Sequence, residues 1–150
     1  MSASESSTID RNTEQARRLF LAVEHRDREG VMAIYDSNIV INEAPSLRYG
    51  GEYRHHEGAL HHGIGFRAAW DRFQVWSGRR LEPHFIAQGD HVGVLSRHKA
   101  ENTGSGEKID LPTVSIYRFV DGKIVDSRMF HFDTAALMEF LGTTSRGACK

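Results

Sequence analysis

The order of patterns along this 150-residue chain predicts an α+β fold, with helices first and a meander of antiparallel strands afterwards. Three observations predict it. Apolar residues recur at helical spacing early in the chain, at Ala16, Leu19, Phe20 and Val23. Four strand-like segments then follow one another with turn residues between them. The segment Thr113–Val120 carries apolar residues on both faces instead of alternating. A sheet with one wetted face should alternate, so both faces are expected to be covered, one by helices and the other by a second subunit.

Residues 1–9 are Ser-rich and read as a disordered start, and residues 10–142 as the folded domain. Asp10 or Thr13 can cap the first helix, and Glu14 supports its first turn through the helix dipole. Asp27-Arg28-Glu29-Gly30 interrupts the helical pattern, and Val31, Ile34 and Tyr35 mark a second short helix. Ile39-Val40-Ile41 is β-branched and reads as a strand. Pro45, Gly50 and Gly51 make residues 42–54 a loop or short hairpin. A longer helix is expected from about His56 to Val75, weakened by Gly58, Gly63 and Gly65 at roughly 1 kcal/mol each relative to Ala. Strands are expected over about 80–88, 91–101, 108–120 and 123–132, with turns at Gln88-Gly89-Asp90, Asn102–Gly106 and Asp121-Gly122-Lys123. A last helix, about Thr134 to Leu141, starts beside the cap Asp133 and stops at Gly142. Residues 143–150 read as a flexible tail.

Composition excludes several classes. Hydrophobic residues make up 39% and charged residues 26%, an ordinary globular balance. A net charge of −1 supplies no basic field for nucleic acid. Nine histidines make the chain cationic in acid. The single cysteine, Cys149, cannot form an internal disulfide, so nothing points to an oxidising compartment. No run of about 18 apolar residues is present and the start lacks a signal-peptide pattern, so no membrane span and a cytoplasmic location are expected.

Three segments together resemble the SnoaL-like, ketosteroid isomerase-like branch of the nuclear-transport-factor-2-like superfamily. They are Tyr35-Asp36-(x)2-Ile39-Val40-Ile41-Asn42-Glu43-Ala44-Pro45-Ser46-Leu47-Arg48-Tyr49-Gly50-Gly51, then Phe119–Val125, then Phe132-Asp133-Thr134-Ala135-Ala136-Leu137. The order and spacing of the elements fit over about residues 10–142. The resemblance implies a cone-like fold, a curved antiparallel or mixed sheet packed on three to four helices around an internal pocket, and frequent dimers. It leaves function open, since the family includes isomerases, polyketide cyclases, dehydratases, epoxide hydrolases and proteins without chemistry.

The resemblance also allows two mechanisms to be tested on this chain. In ketosteroid isomerase-like members a carboxylate ahead of a proline is the general base, which corresponds to Glu43 ahead of Pro45. Those members stabilise an enolate with a Tyr on the first helix and a protonated Asp on a late strand; here those places hold Leu19 or Phe20 and Ser115. Loss of one such donor costs on the order of 3 kcal/mol of barrier reduction. In SnoaL-type cyclases the catalytic Asp follows an Arg on the last strand, and here Met129 follows Arg128, while their supporting His falls at Ser115. Neither mechanism transfers intact.

The residues themselves offer other candidates. A carboxylate in an apolar pocket has a raised pKa, which suits Glu43 as a base. Strand alternation puts Val125, Ser127, Met129 and His131 on one face, so His131 enters the pocket if Met129 does and can act as proton partner. Tyr53 is expected to orient the ligand. Tyr117, His98, Met129, Trp70, Ser115 and Phe85, with Phe130 or Phe132, are expected to line the pocket. Asp36 is a further carboxylate, read chiefly as a turn residue. His55-His56-Glu57 and His61-His62 bring Glu57 and His61 to one helical face, a spacing open to a divalent metal but without the metalloprotease pattern. No metal and no cofactor are expected. The leading expectation is a small-molecule enzyme with cofactor-independent acid–base chemistry on a hydrophobic ligand, of isomerase, cyclase, dehydratase or hydrolase type. The alternatives are a non-catalytic binding module and a protein-interaction domain. A homodimer through the outer sheet face is expected.

Overall fold

The computed structural model describes residues 2–73 and 80–142. Helix α1 (Ala3–Glu24) opens on a reciprocal capping box, in which the Ser2 side chain accepts from the Glu5 N–H and the Glu5 carboxylate accepts from the Ser2 N–H. This cap lets the helix begin at Ala3, so residues 3–9 are helical and not the disordered start that their Ser-rich composition suggests. Ala16, Leu19 and Phe20 form its buried stripe. Burying a Leu or Phe side chain is worth roughly 1.5–3 kcal/mol. Helix α2 (Arg28–Ile34) is capped by Asp27, whose side chain accepts from the Gly30 N–H at 2.9 Å.

Strand β1 (Tyr35–Glu43) then forms a hairpin with β2 (Gly51–Arg54). Helix α3 (His55–Trp70) ends short of the expected Val75; residues 74–79 lie outside the described residues. Strand β3 (His84–Gln88) starts later than expected, because Glu82 has a φ of 50° and Pro83 has no N–H to donate. Strands β4 (His91–Glu101), β5 (Lys108–Val120) and β6 (Lys123–His131) and helix α4 (Thr134–Leu141) follow the expected ranges closely. The expected tail 143–150, with Cys149, lies outside the described residues.

The six strands of the described residues form one open, curved mixed sheet in the order β2-β1-β6-β5-β4-β3. Only the β1–β6 pair is parallel among these neighbours. Among the described residues, the sheet and four helices make an α+β architecture. One inner cluster joins α1 to β1, β4 and β5 through Leu19, Phe20, Ile39, Ile41, Val92, Val94 and Tyr117. A second joins the β1–β2 loop, the end of α3 and α4 through Leu47, Tyr49, Trp70, Leu137 and Phe140. No helix of the described residues is long and apolar enough to cross a membrane.

Candidate functional site

Residue parity along the strands decides what faces inward. On β4, Val92, Val94, Ser96 and His98 are buried, and on β5 Thr113, Ser115, Tyr117 and Phe119 are buried. The register sets Ser115 opposite both Val94 and Met129, and Thr113 opposite both Ser96 and His131. Glu43 ends β1 on the same inner face and is buried. Helix α3 covers this end of the sheet, and it sits close. A Cβ on Gly58 would lie 3.0 Å from the Tyr53 backbone, so glycine there is a condition of the packing and not a defect of the helix. Along α3, Ala59, His62, Ala69 and Trp70 are the buried residues.

These placements converge on one carboxylate. Glu43 Oε2 lies 3.1 Å from His62 Nε2, and Glu43 Oε1 lies 2.8 Å from His131 Nε2. The Ala44 N–H also donates to Oε1, at 3.1 Å. Burial pushes the Glu43 carboxyl up, but the hydrogen bonds from His131 and His62 and the attraction of the two imidazoles outweigh it and hold the group at about 2. An ionised carboxylate only accepts, so both Nε2 atoms carry hydrogen. His131 then spends its second nitrogen as well, since Nδ1 lies 3.2 Å from Thr113 Oγ1 and the hydroxyl donates to it. His62 does not: among the described residues its Nδ1 has no hydrogen-bond partner, and the residue lines a cavity.

That cavity has a volume of about 170 Å3 and opens between α1, α2, α3 and the sheet. Leu19, Phe20, Met32, Phe66 and Met129 supply apolar walls, and Tyr35, His62, His98, Ser96, Ser115 and Tyr117 supply polar atoms. Burial raises the Tyr117 phenol, with Ser115 pulling it back in part and Glu43 adding to the rise.

Of the sequence-predicted residues, Tyr117, His98, Met129 and Ser115 line this cavity, while Glu43 and His131 form the buried pair behind His62. Glu43 is not the raised, proton-seeking carboxyl expected of an apolar pocket, because two imidazoles hold its charge. Tyr53 does not reach the cavity; its hydroxyl donates to the Tyr49 carbonyl at 2.9 Å and its ring edge packs on His62, with centroids 5.2 Å apart. Burial, then the Glu43 charge, raises its phenol. Trp70 is fully buried behind His98, stacked at 4.9 Å, with its Nε1–H donated to the Tyr49 hydroxyl at 3.0 Å. Phe85 packs against Phe20 beneath the Arg17 guanidinium and is not a cavity residue. Phe130 and Phe132 are exposed, on the opposite parity from Met129.

Asp36 lies at the start of β1 and not in a turn; its side chain accepts from the Asn38 N–H at 2.9 Å and does not line the cavity. The histidine-rich start of α3 disperses: His56 Nε2 donates to the Tyr35 carbonyl at 3.1 Å, His55 and His61 are exposed, and His62 turns inward. Among the described residues no three His, Cys, Asp or Glu side chains gather in a way that could hold a metal ion. Sequence reasoning missed His62 and Tyr35 as site residues. The available signal for His62 was its place on the buried stripe of α3, three residues after Ala59 and four before Phe66.

Comparison with known proteins places this geometry in a family. No curated protein matches the chain. Among solved structures, TerC, co-crystallised with polyporic acid, is 23% identical, with 87% of this chain and 98% of that chain covered at a TM-score of 0.74. An NTF2-like protein of Burkholderia pseudomallei is 21% identical over 89% of this chain and 98% of its own, at a TM-score of 0.75. A Xanthomonas campestris protein provisionally named as a polyketide cyclase is 15% identical over 90% of this chain and 99% of its own, at 0.68. These likenesses establish the shared fold. The SnoaL-like domain profile matches residues 16–127, a span that runs from α1 into β6 and holds every cavity-lining residue but Met129, and the chain belongs to the SnoaL-like domain family.

Proposed function

We propose that the chain is a small-molecule enzyme that moves protons on an apolar ligand in this cavity without a cofactor, in a reaction of the isomerase, cyclase, dehydratase or hydrolase kind. One observation carries the reading. Glu43 accepts from His62 Nε2, and the other nitrogen of that cavity-lining imidazole has no protein partner among the described residues. A carboxylate that fixes the tautomer of a histidine leaves its far nitrogen as a bare proton acceptor, and it also stabilises the imidazolium formed when the proton arrives. In this reading His62 is the acid–base group. Glu43 orients it, His131 and the Ala44 N–H hold Glu43, and the Tyr53 ring buttresses His62.

The cavity volume limits the ligand. About 170 Å3 is close to the roughly 150 Å3 of an engineered apolar cavity that takes benzene. One ring-sized group fits inside, and the rest of a larger ligand extends through the mouth. TerC, of the same fold, was co-crystallised with polyporic acid, which agrees with an organic ligand for this architecture.

The test needs no knowledge of the product. A panel of small ring compounds is incubated with the protein in deuterated water, and exchange of ligand C–H for deuterium is followed by NMR. The expected result is exchange into at least one compound, reduced by about 100- to 10,000-fold in His62→Gln. A compound that binds in the cavity without any exchange, or full exchange by His62→Gln, would contradict the assignment.

A further inference from the structure

We propose that the mouth of the cavity binds an anionic group on the ligand through the guanidiniums of Arg28 and Arg67, so that the ligand is an amphiphile with an apolar ring inside and a carboxylate at the rim. The proposal deepens the proton-transfer reading and rests on its cavity, but the acid site is tested by binding alone.

Charge is spread unevenly over this cavity. The side chains around His62 and along the sheet are apolar or neutral, whereas all the Arg and Asp residues that line it come from the corner between α1 and α2 and from the end of α3. They are Arg26, Asp27, Arg28, Arg67 and Asp71. Both carboxylates are engaged. Asp71 pairs with Arg26, and Asp27 caps α2 by accepting from the Gly30 N–H at 2.9 Å. Arg28 and Arg67 have no carboxylate partner among the described residues. Arg67 donates one N–H to the Arg26 carbonyl at 3.4 Å, which ties it to the corner and leaves most of its donor fork for another acceptor. Three guanidiniums against two carboxylates leave the rim with one positive charge. A guanidinium also matches a carboxylate in two-point geometry.

The inner end of the cavity sets the orientation. The Glu43 carboxylate lies directly behind His62 and is ionised, so it drives a negative group on the ligand away from itself and toward the rim. Arg67 follows His62 by five residues on α3, about 7.5 Å along the helix axis at a rise of ~1.5 Å per residue. A ring beside His62 with its acid a short chain further out spans that separation. The volume of about 170 Å3 admits the ring and leaves the charged end at the mouth. Held there, the acid fixes the ring against His62 without taking part in the proton transfer, which is how a remote charge contributes position to a reaction.

The probes are hydrocinnamate and its neutral isostere hydrocinnamamide, matched in ring and chain length, with binding followed by ligand NMR at low salt. The acid should bind about 10-fold tighter than the amide. In 1 M sodium chloride, where the screening length is about 3 Å, most of that preference should vanish. Arg28→Gln and Arg67→Gln should each reduce the preference several-fold, with circular dichroism checking that both are folded. Arg18→Gln, an exposed arginine of α1 outside the cavity, should keep it. Equal or tighter binding of the amide by the native protein, no binding of the acid, full preference in the Arg28→Gln, Arg67→Gln double variant, or an equal loss in Arg18→Gln would overturn the proposal; the first two use only the native protein. If the acid is preferred while His62→Gln leaves exchange intact, the acid site stands and the catalytic reading falls. If exchange depends on His62 while acid and amide bind alike, the acid site falls and proton transfer by His62 remains.

Discussion

Among single residues, Glu43 is the one whose charge needs a physical cause. A carboxylate this deep would give up its charge unless hydrogen bonds held it, and His62 and His131 provide them at 3.1 and 2.8 Å. Strand parity made His131 legible from the sequence, because period-2 alternation needs only the strand itself, and the resemblance pointed to Glu43 as a carboxylate ahead of Pro45. The role of Glu43 was not legible, since it depends on an imidazole delivered by a different element. The sign of the pH effect follows. The folded carboxyl is lowered from 4.5 to about 2, so its contribution is fully present above the unfolded value and is lost as pH falls toward 2. Chemical denaturation across this range should find Glu43→Gln less stable than wild type at neutral pH. The gap should close by ~3 kcal/mol between about pH 5 and 2. A gap independent of pH would mean that the charge contributes nothing.

At the scale of elements, the loop between β1 and β2 positions the end of β1. Leu47 and Tyr49 are buried in it, and the Gly50 N–H donates to the Leu47 carbonyl at 2.9 Å. A Cβ on Gly50 would lie 2.1 Å from the Ala44 carbonyl oxygen, which is backbone and cannot step aside. Gly50→Ala should therefore lower stability by roughly 1–3 kcal/mol, with a lower melting temperature. An unchanged melting temperature would show that the loop is free to shift. Turn chemistry made this loop legible as a loop, and the later turns at Gly89 and Gly122 fall where the sequence puts them, both with positive φ. The start of α1 was not legible because composition outweighed a two-residue device, the Ser2–Glu5 box. The histidine-rich start of α3 misled for a related reason. Adjacent residues on a helix point in different directions, so the cluster in sequence separates: His55 and His61 face outward, His56 reaches the Tyr35 carbonyl and His62 reaches Glu43.

For the whole molecule, the helices cover one face of the sheet and leave on the other an apolar patch flanked by charged residues. Register sets His84, Leu95, Val114 and Phe130 in one row and Ile86, Gly93, Ile116 and Arg128 in the next, with Arg97, Asp110 and Arg118 beside them. Ile86 is 73% exposed, Phe130 53% and Phe132 82%. The non-alternating segment Thr113–Val120 carries this signature in the sequence, with Val114 and Ile116 on the outer face and Ser115 and Tyr117 within. A contiguous apolar sheet face points to burial against another surface, and a two-fold contact with a second copy meets that need. Sedimentation of the wild type should find a dimer, and Ile86→Lys combined with Phe130→Lys should find a folded monomer. A wild-type monomer at high concentration would remove this assignment and leave the face for another partner.

Glu43 holds His62 through Nε2 and leaves Nδ1 open to the cavity. Nitrogen NMR of the imidazole rings measures this arrangement. In its neutral form His62 should carry its proton on Nε2, with an unprotonated Nδ1, and Glu43→Gln should release that preference. A neutral His62 protonated on Nδ1, or a tautomer unaffected by Glu43→Gln, would contradict the account.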